Sequence, residues 1–185
     1  MLENSILKSF IIREATFADI PKLANLHVIT WADTYPAVKK PPTFEIREWQ
    51  WKQQFNKNDD SWFCLVIEKD KSDLIGFSKG IKEKNGGDLN KLYLLKKYHK
   101  QGLGKLLMKQ TVFKFISMGV NNMWVVAEAK NPTCVFYEKM GGMKKEGTDP
   151  GVAIYVWRDL TALKYNKVIS TRNNPICDQP CRYYQ

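Results

Sequence analysis

From Leu92 the chain runs Leu92-Tyr93-Leu94-Leu95, then Lys96-Lys97-Tyr98-His99-Lys100, then Gln101-Gly102-Leu103-Gly104-Lys105-Leu106-Leu107. An apolar strand pattern thus passes through a cationic turn into a helix start that carries two glycines. Without a Cβ at Gly102 and Gly104, the main chain can turn sharply, come close to a ligand and aim free N–H groups at it from the positive end of the following helix. The strand before the loop and the amphipathic run Leu103, Leu106, Leu107 and Phe113 after it mark an anion cradle, suited to phosphate, rather than an ordinary loop.

Charge supports that reading. Lys and Arg number 29 against 19 Asp and Glu, a formal +10, so an anionic partner is expected. Lys91, Lys96, Lys97, Lys100, Lys105, Lys109 and Lys114 occur with no acidic residue among them, which centres the positive potential on the glycine loop and favours a local phosphate ligand over nucleic acid or an acidic membrane. At 185 residues, 44% hydrophobic and 12% aromatic, the chain can bury one sizeable core. Its cysteines, Cys64, Cys134, Cys177 and Cys181, show no repeated spacing, and the first two sit in apolar runs. A reduced, cytoplasmic protein is expected. Cys177 and Cys181 read as tail thiols rather than half of a metal site, since His27 and His99 lie far from them in sequence; no metal is expected. Met1 to Ser5 lacks the basic and apolar pattern of a leader, and no apolar run approaches the ~20 residues of a membrane span.

The organisation is mixed. A strand over 9–14 precedes a helix capped at Asp19, with Ile20, Leu23, Ala24, His27 and Trp31 on one face; Thr43 opens a second helix through Phe44, Ile46, Trp49 and Phe55. Trp62 to Ile67 and Leu74 to Phe77 flank a polar turn, and Asn85-Gly86-Gly87 predicts a second hairpin, so an antiparallel meander results. Its last strand, 88–94, delivers the chain to the glycine loop and a helix over 104–118. A strand (124–127), a short helix (133–140) and a final strand (153–157) follow. This is an α+β layout in one domain over 1–165, with a polar tail, 166–185, expected to be loosely ordered or to dock on a partner subunit.

Order and motifs together resemble the GNAT superfamily of acyl-CoA N-acyltransferases, over roughly Ile11 to Leu160. The family's pyrophosphate loop, Gln/Arg-x-x-Gly-x-Gly/Ala, corresponds to His99-Lys100-Gln101-Gly102-Leu103-Gly104, with His99 where Gln or Arg is usual. Its Asn-Pro-x-x-x-Phe-Tyr-x-x-x-Gly-Gly helix corresponds to Asn131-Pro132, then Phe136-Tyr137, then Gly141-Gly142. The resemblance implies a mostly antiparallel, splayed central sheet with helices on both faces. It implies acetyl-CoA as co-substrate, a small-molecule or peptide amine as acceptor, and the option of a homodimer. Main-chain groups near Leu94 and Leu95 would pair with the pantetheine amides as a further strand would. His99, Lys100, Gln101, Gly102, Leu103, Gly104 and Lys105 would surround the pyrophosphate, Asn131 would bond the pantetheine arm, and Tyr137 would sit by the sulfur.

Attack of a neutral amine on a thioester needs a proton removed from nitrogen and one supplied to the departing sulfur. Tyr137 is the general-acid candidate, because a phenol is protonated at neutral pH. Asp88 aligns with the position of a carboxylate base, acting through a water, or else is a solvated turn residue. His27 reads as a core histidine. Acceptor recognition is expected between the first helices, at Trp31 and Tyr35, where the nearby Asp33 and Glu45 would suit a cationic amine. A non-catalytic acyl-CoA sensor and a basic nucleic-acid binder are the competing classes. A dinucleotide-binding Rossmann domain is excluded, because the glycines follow a largely antiparallel run in mid-chain.

Overall fold

The computed structural model describes residues 10–70, 72–145 and 149–165; the tail, with Cys177 and Cys181, lies outside these described residues. The elements in chain order are β1 (Phe10–Glu14), α1 (Ile20–Thr34), α2 (Phe44–Phe55), β2 (Trp62–Lys69), β3 (Asp73–Glu83), β4 (Gly86–Leu94), α3 (Leu103–Ser117), β5 (Met123–Glu128), α4 (Cys134–Lys139), β6 (Met143–Lys144), β7 (Val152–Trp157) and α5 (Leu160–Tyr165). Seven strands form one sheet in the order β1-β2-β3-β4-β5-β7-β6. Every pairing is antiparallel except β4 with β5.

The mixed fold expected from the sequence is present, and two elements were not anticipated. β6 is only two residues long, and α5 has six, too short for periodicity to mark either. The α2 start behaves as expected, with the Thr43 hydroxyl accepting from the Ile46 N–H at 3.4 Å. The Asp19 side chain does not cap α1; it accepts instead from the N–H of Thr16 and from Arg13.

Both faces of the sheet are covered. Alternation along β2 sends Phe63, Leu65 and Ile67 to one face and Cys64 and Val66 to the other, and all five are buried. Phe63, Leu65 and Ile67 join Leu89, Leu107, Val112, Phe115 and Leu163 in a core beneath α3 and α5. Cys64 and Val66 join Leu23, Leu26, Trp51 and Phe77 beneath α1 and α2.

Two departures from regularity in β4 place the functional site. First, β4 meets β5 at Gly87↔Met123 and Asp88↔Trp124, and there the pairing ends. β4 nevertheless continues along β3 to Leu94, and β5 along β7 to Glu128, so the two strands diverge from a vertex at Asp88. Second, Lys79 opposes Lys91 while Gly80 opposes Leu89, which makes Asn90 the extra residue of a β-bulge. Gly87 and Leu89 face α3, since a Cβ at Gly87 would meet the Phe115 ring at 2.6 Å. Asp88 therefore faces the α1–α2 side. The bulge shifts the alternation, so that Leu92 and Leu94 pack on the α3 core and Lys91 and Tyr93 keep the same side as Asp88.

A charged cluster ties the sheet edge to α1. Arg13 donates to Asp19 through Nη1 and Nη2 at 2.7 and 2.8 Å, and to Glu68 through Nε at 2.7 Å. The Arg13 guanidinium holds the Asp19 carboxyl at about 2, below the usual carboxylate range. A depressed folded-state pKa contributes stability that is present above the unfolded value and lost as pH falls through the folded one. Asp19→Asn should therefore cost about 2 kcal/mol at pH 7, and the difference should vanish between about pH 4 and pH 2. Urea melts of both proteins across that range check this; a pH-independent difference would contradict it.

Candidate active site

The glycine loop connects β4 to α3 through left-handed turns. Lys100 has φ 60° and Gly102 φ 84°, conformations that favour glycine and that curl successive N–H groups toward one point. Gly102 is the residue before the first turn of α3, and the N–H groups of Leu103, Gly104 and Lys105 have no carbonyl to reach within the helix. A Cβ built at Gly102 meets nothing within 4 Å, so the space over the loop is open. Gln101 is held by its Nε2 donating to the Lys97 carbonyl at 3.0 Å. Donor set, open space and flanking Lys100 and Lys105 fit a pyrophosphate. His99 is exposed, and its Nε2 donates to the Leu94 carbonyl at 2.8 Å. That bond closes the turn and engages this ring nitrogen.

On the diverging side of β4 the free main-chain groups are shifted from the sequence expectation. The Leu95 N–H donates to Ile75 O at 2.9 Å and the Leu95 carbonyl accepts from Tyr98 at 2.9 Å, so neither group is available. Because successive residues of a strand turn their N–H and C=O to opposite sides, Leu92 and Leu94 face the divergence. With the Leu94 carbonyl taken by His99, the Leu94 N–H and both groups of Leu92 are those offered to an extended ligand.

Across the cleft, Asn131 accepts through Oδ1 from the N–H and hydroxyl of Thr133 at 2.9 and 2.7 Å and so shapes the entry to α4. The helix ends on the Gly-Gly pair for a physical reason. Gly141 takes φ 80° and donates to Glu138 O, and Gly142 donates to Tyr137 O, a Schellman closure. A Cβ at Gly142 would meet the Trp157 ring at 2.7 Å. α4 is thereby seated on β7, with the Tyr137 ring buried beside Phe136, Tyr155 and Trp157. Burial first, then the neighbouring Tyr93, Cys134 and Tyr35, push the Tyr137 phenol upward from its ordinary value, so it carries its proton at neutral pH.

Tyr35 and Tyr93 meet at the same place. Burial and Glu128 raise the Tyr35 phenol while interactions with Asn131 and Tyr93 oppose this. The Trp31 and Tyr35 rings lie 5.1 Å apart, so the structure brings Trp31, Tyr35, Asn131 and Tyr137 to one region, with Tyr93 added. Asp88 stands apart at the vertex, in a cavity of 530 Å³ shared with Glu83, Lys84, Asn85, Leu89, Asn90, Trp124 and Val126. Burial raises the Asp88 carboxyl above the usual range, and a hydrogen bond from Asn90 Nδ2 at 3.0 Å opposes the rise. His27 is the buried core histidine expected: desolvation first and Arg47 second hold it well below the usual imidazole range, among the rings of Trp51, Phe77 and Tyr93.

The carboxylates expected to greet a cationic acceptor do not turn inward. Asp33 and Glu45 are exposed, Trp49 is 61% exposed and Trp51 is core. Arg47, Lys79 and Lys91 occupy the inner face instead. Sequence reading missed these three and Tyr93. Lysines interrupting the apolar runs of β3 and β4 were the available signal, but a bulge at Asn90 leaves no mark in composition, so the face of Lys91 was not assignable.

A splayed β4–β5 pair that leads into a glycine loop at a helix start is the architecture the two motifs implied. The sequence model of the acetyltransferase (GNAT) family matches residues 23–142. The chain belongs to this family. An N-acetyltransferase named YuaI, uncharacterized, from Bacillus subtilis (strain 168) is 25% identical over 175 residues, covering 83% of this chain and 95% of the relative. Among solved structures, the PaiA N-acetyltransferase of Thermoplasma acidophilum in complex with coenzyme A superposes with a TM-score of 0.70 at 24% identity, over 80% of this chain and 98% of that one. The spermidine/spermine N-acetyltransferase SpeG of Vibrio cholerae does so with a TM-score of 0.62 at 14% identity, over 85% and 97%. As a GNAT enzyme the chain is an acetyltransferase, and it shares its fold with the PaiA structure that holds coenzyme A. Among the described residues, no helix of this GNAT chain is long and apolar enough to cross a membrane, and no cluster of three or more His, Cys, Asp or Glu could hold a metal ion.

Proposed function

We propose that this enzyme transfers the acetyl group of acetyl-CoA to a primary amine of a small molecule or peptide by direct attack within a ternary complex. The observation that carries the proposal is the divergence of β4 from β5 beyond Asp88, with the α3 start at the open end and the buried Tyr137 phenol within reach of Tyr93 on β4. Bound acetyl-CoA would supply an activated acyl carbon and a thiolate leaving group. The N–H groups of Gly102 to Lys105, with Lys100, hold the pyrophosphate, and Leu92, Leu94 and Asn131 align the pantetheine arm. Asp88, through a water, takes the proton that the attacking nitrogen loses. Tyr137 gives its proton to the sulfur as the carbon–sulfur bond breaks, so nitrogen gains the acetyl group and CoA leaves as the thiol.

The lysines of the basic run 91–114 do not all turn one way, which weighs against the competing nucleic-acid reading. Lys91 turns to the inner face and Lys114 is paired with Glu14. Calorimetric titration of CoA, with CoA release measured against a panel of amines, tests the proposal: saturable binding of one CoA per chain with turnover on an amine class supports it, and absence of CoA binding would overturn it.

Asp88→Asn is expected to lower kcat by about 100-fold if a general base is lost. The raised carboxyl pKa means the folded state holds that proton more tightly, so this group's stability contribution is full at low pH and is lost as pH rises through its folded value. The variant should accordingly melt at the same temperature as the parent, or slightly above it, at neutral pH. Unchanged kcat in a stably folded variant would remove Asp88 from the chemistry.

A further inference from the structure

The face of the sheet opposite α3 carries three cations that, among the described residues, form no ion pair. Arg47 is 8% exposed, and its Nε is buried without a hydrogen-bond partner. Nη1 donates to the Gln50 amide oxygen at 2.9 Å, and the guanidinium stands 5.9 Å from the centre of the Trp31 ring. Lys79 and Lys91 are direct cross-strand partners on β3 and β4. Both are partly buried; Lys79 donates to Gln54 Oε1 at 2.7 Å and Lys91 to Asn90 Oδ1 at 3.1 Å. All three thus rest on amide oxygens, and among the described residues none of them forms an ion pair with a carboxylate. Asp88 is the carboxylate whose field reaches Lys79 and Lys91, and it stands at the vertex.

Such an arrangement is costly in the free protein. Like charges directly opposed across a sheet destabilise it, and buried charges are ordinarily paired. Desolvation, with Lys91 next, lowers the Lys79 ammonium to about 8, and desolvation, with Arg47 next, lowers that of Lys91. Each group is therefore short of a counter-charge. The fold keeps Arg47 within reach of Tyr93, and Tyr93 within reach of Tyr35 and Tyr137, beside which the proposed chemistry places the acetyl group. A guanidinium flanked by two ammonium groups matches the planar or tetrahedral oxygens of a carboxylate or a phosphate.

We propose that the acceptor is an amine that itself carries a carboxylate or phosphate group, and that Arg47, Lys79 and Lys91 bind this anion while the amino group faces Tyr137. This deepens the acetyltransferase reading and rests on it. An acceptor with positive charges alone, such as a polyamine, would meet repulsion at the same place.

Matched pairs test it on the full chain with acetyl-CoA: phenylalanine against phenethylamine, lysine against cadaverine, and glucosamine 6-phosphate against glucosamine, with spermidine alongside. The anionic member of at least one pair is expected to show a kcat/KM about tenfold or more above its partner. The carboxylate and phosphate pairs tell the two anions apart. In Lys91→Met and Lys79→Met that ratio should fall toward one while the Tm stays level or rises, because an unpaired charge is removed; a purely structural role would lower the Tm and leave the ratio alone. Thermal shifts at saturating CoA provide a second readout, in which the anionic members raise the Tm of the parent more than of the variants. Spermidine or the partners that lack the anionic group used equally well or better would overturn the proposal, as would the absence of any anion-dependent turnover or shift. Calorimetry of CoA on the same preparation separates the two readings: intact CoA binding in that case leaves the acetyltransferase standing and removes only the anionic acceptor, whereas loss of CoA binding removes both.

Discussion

Gly102→Val should raise the Kd for CoA by several hundred-fold while leaving a folded protein. At φ 84° a β-branched residue is strained, and relief of that strain swings the N–H groups of Gly102 and Leu103 away from their common focus. The new side chain also enters the open space over the loop, where no atom beyond the adjacent residues lies within 4 Å of the Cβ. Losing two charge-assisted hydrogen bonds to phosphate is worth about 3–4 kcal/mol, which corresponds to that change in affinity. The same openness keeps the cost to the fold near about 1–2 kcal/mol, since no core packing is disturbed. Calorimetric titration of CoA with a parallel melt separates the two effects. CoA affinity within threefold of the parent would remove this loop from cofactor binding.

Tyr137→Phe is expected to lower kcat by about 100-fold with the KM for acetyl-CoA nearly unchanged, the usual loss when a positioned general acid is removed. Phenylalanine keeps the ring contacts with Phe136, Tyr155 and Trp157, so the fold and the seat of α4 on β7 should survive. A raised phenol pKa means the proton stays on through the ordinary assay range, so parent and variant should share the same pH–rate profile below about pH 10, offset by a constant factor. Steady-state kinetics of both proteins check this. A kcat within twofold of the parent would reduce Tyr137 to a packing residue.

How much of this was legible beforehand varies with the range of the interactions involved. The glycine loop was readable because its determinants are local: a strand, a cationic turn, two residues without a Cβ and an amphipathic helix follow one another in sequence. The Asn-Pro to Gly-Gly stretch was readable for a similar reason, since the Schellman closure at Gly141 and the close approach of Gly142 to Trp157 need glycine at those positions. The hairpins announced themselves through Lys69 to Asp73 and Asn85-Gly86. By contrast, the choice of Leu92 rather than Leu95 as the free main-chain donor depends on which neighbour each peptide already serves. The engagement of His99 with the Leu94 carbonyl likewise depends on how tightly the loop folds back.

The face between the first helices and the sheet shows the limit most clearly. Aromatic residues beside Asp33 and Glu45 suggested a cationic amine, but helix rotation leaves those carboxylates in solvent and turns Arg47 inward. Lys79 and Lys91 come together across two strands, and the bulge at Asn90 puts Lys91 on the inner face.

The sequence by itself determined the strand-loop-helix cradle, the order of the elements and the membership in the GNAT family, because each rests on neighbours in the chain and on where glycine can go. Only the tertiary structure decided which main-chain groups stay free, where Asp88 stands relative to Tyr137, and the sign of the charge on the sheet face beneath α1 and α2. Those properties arise from register, bulge and helix rotation, which sum contacts between residues far apart in sequence.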